Sequence, residues 1–521
     1  MRNFIQLLGH YIDDFDGTEE ELAHELTDAM DSLAKRKEIA ESHTITRNLV
    51  GKHKSGKKIV TEYELKAYLE VHPIKDEDRR LLKELHKPYV FWNNNMNEIQ
   101  RHQTEQISEV FKSFRDLSDL SVNPRPTPNY GVYSPFPDGL TTDKNDFNRS
   151  ITTELIREFN KDNPTIDVFL PQNLDVYYDK IKDLFKSNLD SKTIRIRQIL
   201  TFPKFTGKNA PRQEYDLLAF LPTIYFLTYA VPGSYHFYAN AVDSVISETD
   251  GLITPYYICT SDCLIRFSQH LHTAWISHNE TDISVYHQMF DARLSHTSVK
   301  PLIKKFKDYS EVIAHYSKEI LSMGYTPVPC VALLASNELE HYAYVFDENL
   351  DETMRGVVNG FVNSIADVSS HYHFANKDSI EKFAHDGIIR EYPEFLVPHP
   401  VHPQDRVLLL KKLNVANNND YFVRNDVFNT NDKYCVCVSQ NTVTVYPVGM
   451  DHSQFCVIDE KSIVTAFRFF FTEYLPNSDM IYSPQRAQEI IEKGIQIAQQ
   501  EAEEFEKRQK HPRAKTEEDC K

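Results

Sequence analysis

Histidine and cysteine are the side chains best able to hold a transition metal or to run nucleophilic chemistry, and the sequence carries 22 of the first and seven of the second. The close pairs are His270 with His272, His371 with His373, His399 with His402, and Cys259 with Cys263. Each pair supplies two ligands, whereas a zinc site takes three or four from the protein at a recognised spacing. Pairs of this kind arise by chance among so many histidines, so the expectation is no metal and no cofactor. The sequence contains no Gly-x-Ser-x-Gly elbow, phosphate loop or dinucleotide glycine fingerprint. An odd cysteine count without a recurring Cys-x-x-Cys pattern points to reduced, mostly buried thiols.

Charge chemistry is more informative. The chain of 521 residues has a net charge of −18, which excludes a protein that coats nucleic acid or an anionic membrane with its whole surface but leaves room for a local basic site. From Tyr11 to Leu33 nine acidic residues occur with no Lys or Arg. From Lys35 to Lys58 eight basic residues (Lys35, Arg36, Lys37, Arg47, Lys52, Lys54, Lys57, Lys58) face only Glu38 and Glu41, a local charge of +6. Residues 1 to 90 sum to −3 and the remainder to −15.

The elements that must position this basic segment are short helices. Thr18 with Glu21 and Thr61 with Glu64 have the spacing of capping boxes, each before an apolar stripe. Between them Ile45, Leu49 and Val50 predict a short helix that exposes Thr44, Thr46, Arg47 and Asn48, and Asp76 to Leu85 predicts another with Leu81, Leu82 and Leu85 inward. Four or five short helices with a basic polar one in the middle fit a helix-turn-helix domain.

Helical patterns continue to about residue 118, and Pro124, Pro126, Pro128, Pro135 and Pro137 then mark a linker or extended arm. From about 150 to 475 strands and amphipathic helices alternate. TIDVFLP (165 to 171), NLDVYYDKIKDLFKS (173 to 187) and TIRIRQIL (193 to 200) predict a βαβ unit. Leu302, Phe306, Tyr309, Ile313, Tyr316 and Ile320 predict one core-facing helix, YCVCVSQNTVTVYPV (434 to 448) a pair of strands, and Ser483 to about Lys510 a charged helix. The aromatic stretch from 222 to 242 reads as core rather than as the lining of a ligand pocket. The longest apolar run, Leu217 to Pro232, is interrupted by Pro222 and is shorter than the roughly 20 residues that span a bilayer. With acidic residues soon after a short apolar start, the N-terminus is no secretory signal, and a cytoplasmic protein without membrane contact is expected.

At the basic segment a family resemblance enters. TEEELAHEL from Thr18 resembles the first helix of the motif in Cro/C1-type helix-turn-helix repressors, and TITRNLVGKHKSGKKIVTEYELKAYLEV resembles their recognition helix, its Ser-Gly-Lys exit turn and the helix after it. KDEDRRLLKEL resembles the last helix of the same domain; the likeness covers roughly residues 5 to 87. The family joins the two helices of the motif by a tight turn, whereas here DSLAKRKEIAESH lies between them, either as a longer first helix or as an insertion. By resemblance, Thr44, Thr46, Arg47 and Asn48 would face base edges, with Arg47 suited to guanine and Asn48 to adenine. Lys52, Lys54, Ser55, Lys57 and Lys58 would contact phosphates.

Two weaker resemblances lie further on. DHSQFCVIDEKSIVTAF (451 to 467) resembles the signature of phospholipase D-type phosphodiesterases, with His452 and Asp459 at the family's separation but Gln454 where its phosphate-binding lysine belongs. A neutral glutamine cannot stabilise a phosphoryl transition state as an ammonium does, so VTVYP and FCVID are expected to be simply paired strands. The stretch from residue 371, HYHFANKDSIEKFAHDGIIREYPEFLVPHPVHPQDR, is similar to large Firmicute regulators that join a Cro/C1-type domain to a long C-terminal region.

Together these readings predict an α+β protein: a helix-turn-helix DNA-binding domain over residues 1–90, a helix and Pro-rich linker over 91–150, an α/β sensor or oligomerisation region over 151–475, and a charged helix and tail over 476–521. The expected function is a sequence-specific, non-enzymatic transcriptional regulator, a homodimer on double-stranded DNA whose C-terminal region takes a small-molecule or peptide effector. The alternatives are a degenerate phosphodiesterase, or an interaction scaffold whose basic segment is buried against the acidic stretch before it.

Overall fold

The computed structural model describes residues 2–122, 133–170, 174–187, 194–204, 216–230, 234–242, 255–268, 273–306, 308, 311–312, 314–315, 321–325, 372–389, 400–413, 420–424, 434–447 and 455–510. The chain is α+β and divides into two compact units, Met1–Arg101 with Thr472–Ala487, and His102–Phe471 with Gln488–Lys521. Among the described residues no helix is long and apolar enough to cross a membrane.

The first unit is built of helices: α1 (Arg2–Asp13), α2 (Glu19–Lys35), α3 (Arg47–Lys54), α4 (Glu62–Val71) and α5 (Asp76–Asn95). Phe4, Leu8 and Ile12 recur every fourth residue on α1, so one stripe of that helix is apolar and packs on α3 and α5. Both expected capping boxes form: Thr18 and Thr61 each accept the N–H of the residue three positions on, and Glu21 and Glu64 reach back to the cap backbone. Each satisfies two of the N–H groups that a helix start leaves orphaned. Leu22, Leu26, Met30, Leu65, Tyr68, Leu82 and Leu85 complete one buried cluster. The boundary expected at residue 90 falls inside α5, where Trp92 meets the ring of Tyr474 edge-on at 5.5 Å.

In the second unit an eight-stranded sheet has the order β1-β7-β6-β5-β2-β3-β4-β8. Its strands are β1 (Gly139–Thr141), β2 (Thr165–Phe169), β3 (Arg195–Pro203), β4 (Tyr235–Val242), β5 (Tyr256–Cys259), β6 (Leu264–Phe267), β7 (Ala274–Ser277) and β8 (Val299–Pro301). β2, β3 and β4 run parallel, joined by α8 (Asp175–Ser187) and α9 (Leu217–Ala230), and the other pairings are antiparallel. The expected βαβ unit is therefore present, whereas β1 and the start of α7 (Lys144–Phe159) lie inside the stretch read as linker.

Period-two alternation sorts the side chains onto two faces. On one, Tyr177 of α8 meets the Tyr235 hydroxyl at 3.0 Å, Tyr235 donates to Gln198, and Gln198 donates to Tyr178 at 2.7 Å. Phe147 of α7 packs on Phe267 on this face. The other face, carrying Asp167, Phe169, Arg197, Ile199 and Asn240, lies under α10 (Glu280–Leu294). Buried Leu221, Ile224, Tyr225 and Leu227 make α9 a core helix despite its internal Pro222, in line with the core reading of that stretch.

A six-stranded sheet, order β11-β10-β9-β12-β13-β14, uses β9 (Leu321–Tyr325), β10 (Tyr372–Asn376), β11 (Asp420–Val423), β12 (Tyr434–Ser439), β13 (Val443–Pro447) and β14 (Cys456–Ile458). The hairpin expected at 434 to 448 is β12 and β13, and FCVID pairs with VTVYP as β14 on β13. Also in this unit are α6 (Glu98–Val122), α11 (Lys377–Asp386), α12 (Pro403–Lys412) and α13 (Lys461–Phe469), while α14 (Pro484–Lys510) realises the expected terminal helix with Ile490, Ile491 and Ala498 buried.

One expectation fails. Leu302 and Phe306 do not begin a helix: the Leu302 N–H bonds to the Phe237 carbonyl and Lys304 bridges Val457, so the segment is extended along sheet edges. Helical backbone occurs at 311–312 and 314–315, and Tyr309, Ile313, Tyr316 and Ile320 lie outside the described residues. The apolar spacing fitted a helix, but edge strands with free carbonyls decided the local conformation.

Candidate functional site

The basic segment is carried by α3 and the turn after it. Thr46 caps the helix, its hydroxyl accepting the Leu49 N–H at 3.3 Å. The Ile45 N–H donates to the Thr27 hydroxyl at 2.9 Å, fixing the approach to α3 against α2. Val50 and His53 are wholly buried, and the His53 Nδ1 lies 3.1 Å from the Tyr68 hydroxyl. Burial pushes the His53 pKa down, with Glu64 opposing the shift. Burial also works to raise the Glu64 carboxyl, but the Thr61 N–H and His53 outweigh it and the carboxyl stays below its ordinary range. The inner face of α3 is thereby fixed.

Helical periodicity then assigns the remaining positions to two stripes. Asn48, Lys52 and Ser55, spaced four and three apart, are exposed on one. Arg47, Gly51 and Lys54 form the other, and this stripe is turned toward acidic residues. Arg47 Nε lies 3.7 Å from Glu19, and Lys54 pairs with Asp13 and stands 3.9 Å from Glu19. A hydrogen bond to Asp13 raises the Lys54 pKa.

The exit turn closes through Gly56, whose φ of +68° is a conformation that L side chains rarely adopt. The Lys57 and Lys58 N–H groups both bond to the Lys52 carbonyl, and the Ser55 hydroxyl donates to it at 3.2 Å, so three lysines are gathered around one backbone oxygen.

Structure therefore sorts the residues singled out in the sequence. Thr44, Asn48, Lys52, Ser55, Lys57 and Lys58 are exposed, and Lys52, Lys57 and Lys58 make no ion pair among the described residues. Thr46 is committed as a cap, while Arg47 and Lys54 are tied to the acidic stretch. Two of the eight basic residues thus face the acidic segment. α2 extends to Lys35, and the connection from α2 to α3 runs from Arg36 to Thr46.

Of the other candidates, His270, His272, His371, His399, His452 and Gln454 lie outside the described residues, as does the His373 side chain. His402 caps α12 and packs edge-on against Phe505 at 4.8 Å. Asp459 is exposed after β14. Cys259 and Cys263 are buried free thiols belonging to separate clusters.

Each of those clusters was missed in the sequence. Glu154, Cys263 and His278 place ligand-type atoms within 4.8 Å of one another. The Arg157 guanidinium already donates to Glu154 and stands 3.4 Å from the His278 ring, so a cation occupies the carboxylate.

In the other cluster Asp167 lies in register with Arg197 and Cys259. Arg197 donates to both Asp167 oxygens at 2.7 Å and to Asp291 at 2.6 Å. His287 Nδ1 lies 2.6 Å from Asp167, and its Nε2 lies 3.2 Å from the Thr260 carbonyl and 3.5 Å from the Cys259 sulfur. A Cys-His-Asp order of this kind is also that of a nucleophilic triad. Here the hydrogen bonds to Asp167 and Cys259 push the His287 pKa up to about 10, and Nε2 is shared with the Thr260 carbonyl. Burial also pushes the thiol of wholly buried Cys259 up. The cluster braces α10 on the sheet. Its one sequence signal is a lone acid inside the apolar run TIDVFLP.

No protein-family model matches the chain, and no curated protein matches it significantly.

Proposed function

We propose that the chain is a DNA-binding transcriptional regulator that meets the phosphate backbone through Lys52, Lys57 and Lys58, with Asn48 directed at base edges. The observation that carries this reading is the exposed, uncompensated cluster of these three lysines around the end of α3, in a protein of net charge −18. Exposed lysines at a fixed helix end suit phosphate contact, which positions a protein without reading sequence. Arg47 and Lys54 form a second tier: their partners Glu19 and Asp13 release them when phosphate competes. Half-sites are read in pairs, so the working form is a homodimer in the cytoplasm, and an effector of the second unit shifts the population competent to bind.

Fluorescence anisotropy on random-sequence duplexes across a salt series tests this. Changing Lys52, Lys57 and Lys58 together to Ala is expected to weaken binding and to reduce the salt slope by about three, near 0.9 for each phosphate no longer neutralised. Glu19→Gln is expected to strengthen binding by freeing Arg47. Unchanged affinity and slope in the triple variant, or no binding by the parent at low salt, overturns the reading.

A further inference from the structure

The face of the eight-stranded sheet under α10 holds a cleft that the α3 surface does not involve. It has a volume of about 410 Å³, within the range of small-molecule sites. Its floor is Phe169 at the end of β2, Ile199 in the middle of β3 and Asn240 toward the end of β4. Its rim is Arg293 from the last turn of α10 with His296 and Ser298 from the turn that follows.

Two polar side chains at this rim, Arg293 and His296, face the cleft. The Arg293 guanidinium lies over the Phe169 ring, 4.2 Å from its centroid, and makes no ion pair among the described residues. The nearest acid in sequence, Asp291, is drawn away onto Arg197. The His296 Nδ1 lies 2.8 Å from the Ser298 hydroxyl and 3.3 Å from the Ser298 backbone nitrogen, and the Ser298 hydroxyl donates to Asn240 at 3.0 Å. Both Ser298 contacts engage Nδ1, so Nε2 is the His296 ring nitrogen that faces a ligand. Among the described residues no carboxylate lines the cleft. Behind it, Tyr257 is 2% exposed with a hydroxyl that has no hydrogen-bond partner among the described residues, and the Arg293 charge acts on that hydroxyl. A guanidinium without an ion pair among the described residues, an imidazole ring beside it and an aromatic floor complement a planar apolar body that ends in an anion.

We infer that this cleft binds a small organic anion, its charged head held by Arg293 and His296 and its apolar body lying along Phe169 and Ile199. The site stands on the geometry of the sheet and α10 alone and holds whether or not the chain binds DNA.

Isothermal titration of the full chain with phenylacetate and with phenyl phosphate tests the inference and separates a carboxylate from a phosphate head; benzyl alcohol is the uncharged control. Saturable binding of either anion, with benzyl alcohol much weaker, supports the site, and the tighter anion identifies the head group. Arg293→Gln is expected to weaken it at least about tenfold, as loss of a charge-assisted hydrogen bond does. His296→Ala is expected to weaken it less, and Lys300→Gln, on the neighbouring edge strand, not at all. Thermal unfolding establishes that each variant is folded; should Arg293→Gln fail to fold, His296→Ala with Lys300→Gln decides. The inference is overturned if neither anion binds saturably at millimolar concentration, if benzyl alcohol binds as well as the anions, or if Lys300→Gln weakens binding as much as the cleft variants.

Discussion

In the helical unit Arg47 meets Glu19 and Lys54 meets Asp13 with every partner at least 36% exposed, whereas in the sheet unit a wholly buried Asp167 is shared between Arg197 and His287. The chemical groups are alike, and the solvent around them is not. An exposed pair gains little over hydration and is screened by salt, so its cation can be exchanged for a phosphate. A buried pair has lost its water already, and neither partner can leave without stranding the other. The same residue types therefore serve a replaceable contact in one unit and a fixed brace in the other.

Substitutions can sharpen or break this contrast. Asp167→Ala strands Arg197 and His287 together and is expected to cost about 3–5 kcal/mol in urea unfolding. A loss below about 1 kcal/mol, the scale of surface pairs, would erase the distinction between the two regions.

Next in size is a pH effect. His287 has a folded pKa of about 10 against an ordinary 6.5. A raised folded pKa means that the stability it contributes is fully present below about pH 6.5 and is lost as pH climbs toward 10. Unfolding midpoints should fall across that window, and less so in His287→Gln. Asp167, held low by His287 and Arg197 against the upward push of burial, contributes in the opposite sense: its share is lost only at strongly acid pH.

Thr61→Ala removes a cap hydrogen bond from α4 and is expected to cost about 1 kcal/mol by urea or thermal unfolding. Smallest is the effect of changing Lys52, Lys57 and Lys58 to Ala on stability: the urea midpoint should not move, and a clear drop would mean that these lysines hold the fold rather than a partner.

Local signals carried much of the fold. Capping boxes depend on residues three apart, and the βαβ unit on the period of three consecutive segments, so Thr18, Thr61 and the run from 165 to 200 were legible. Leu302 and Phe306 misled because a 3.6-residue spacing says nothing about an edge strand waiting for partners. The Asp167 cluster was hidden for a related reason. Asp167 and His287 are 120 positions apart, and only the antiparallel placement of β5 on β2 brings Cys259 beside Asp167. At α3 the sequence indicated which residues are basic. It could not show that Arg47 and Lys54 fall on the stripe facing Glu19 and Asp13, because that depends on where α1 ends and α2 begins.

The buried chain of Tyr177, Tyr235, Gln198 and Tyr178 has an optical consequence. Burial raises the hydroxyl pKa of all three tyrosines far enough that they cannot ionise while the sheet is intact. Tyrosinate absorbance recorded on raising the pH would therefore appear in two stages, exposed phenols first and the buried ones, with Tyr68, Tyr225 and Tyr229 beside this set, only when the fold opens. The late step is an intrinsic reporter of unfolding, readable in the native chain without an added label, and Tyr177→Phe, Tyr178→Phe or Tyr235→Phe would mark the share that belongs to the eight-stranded sheet.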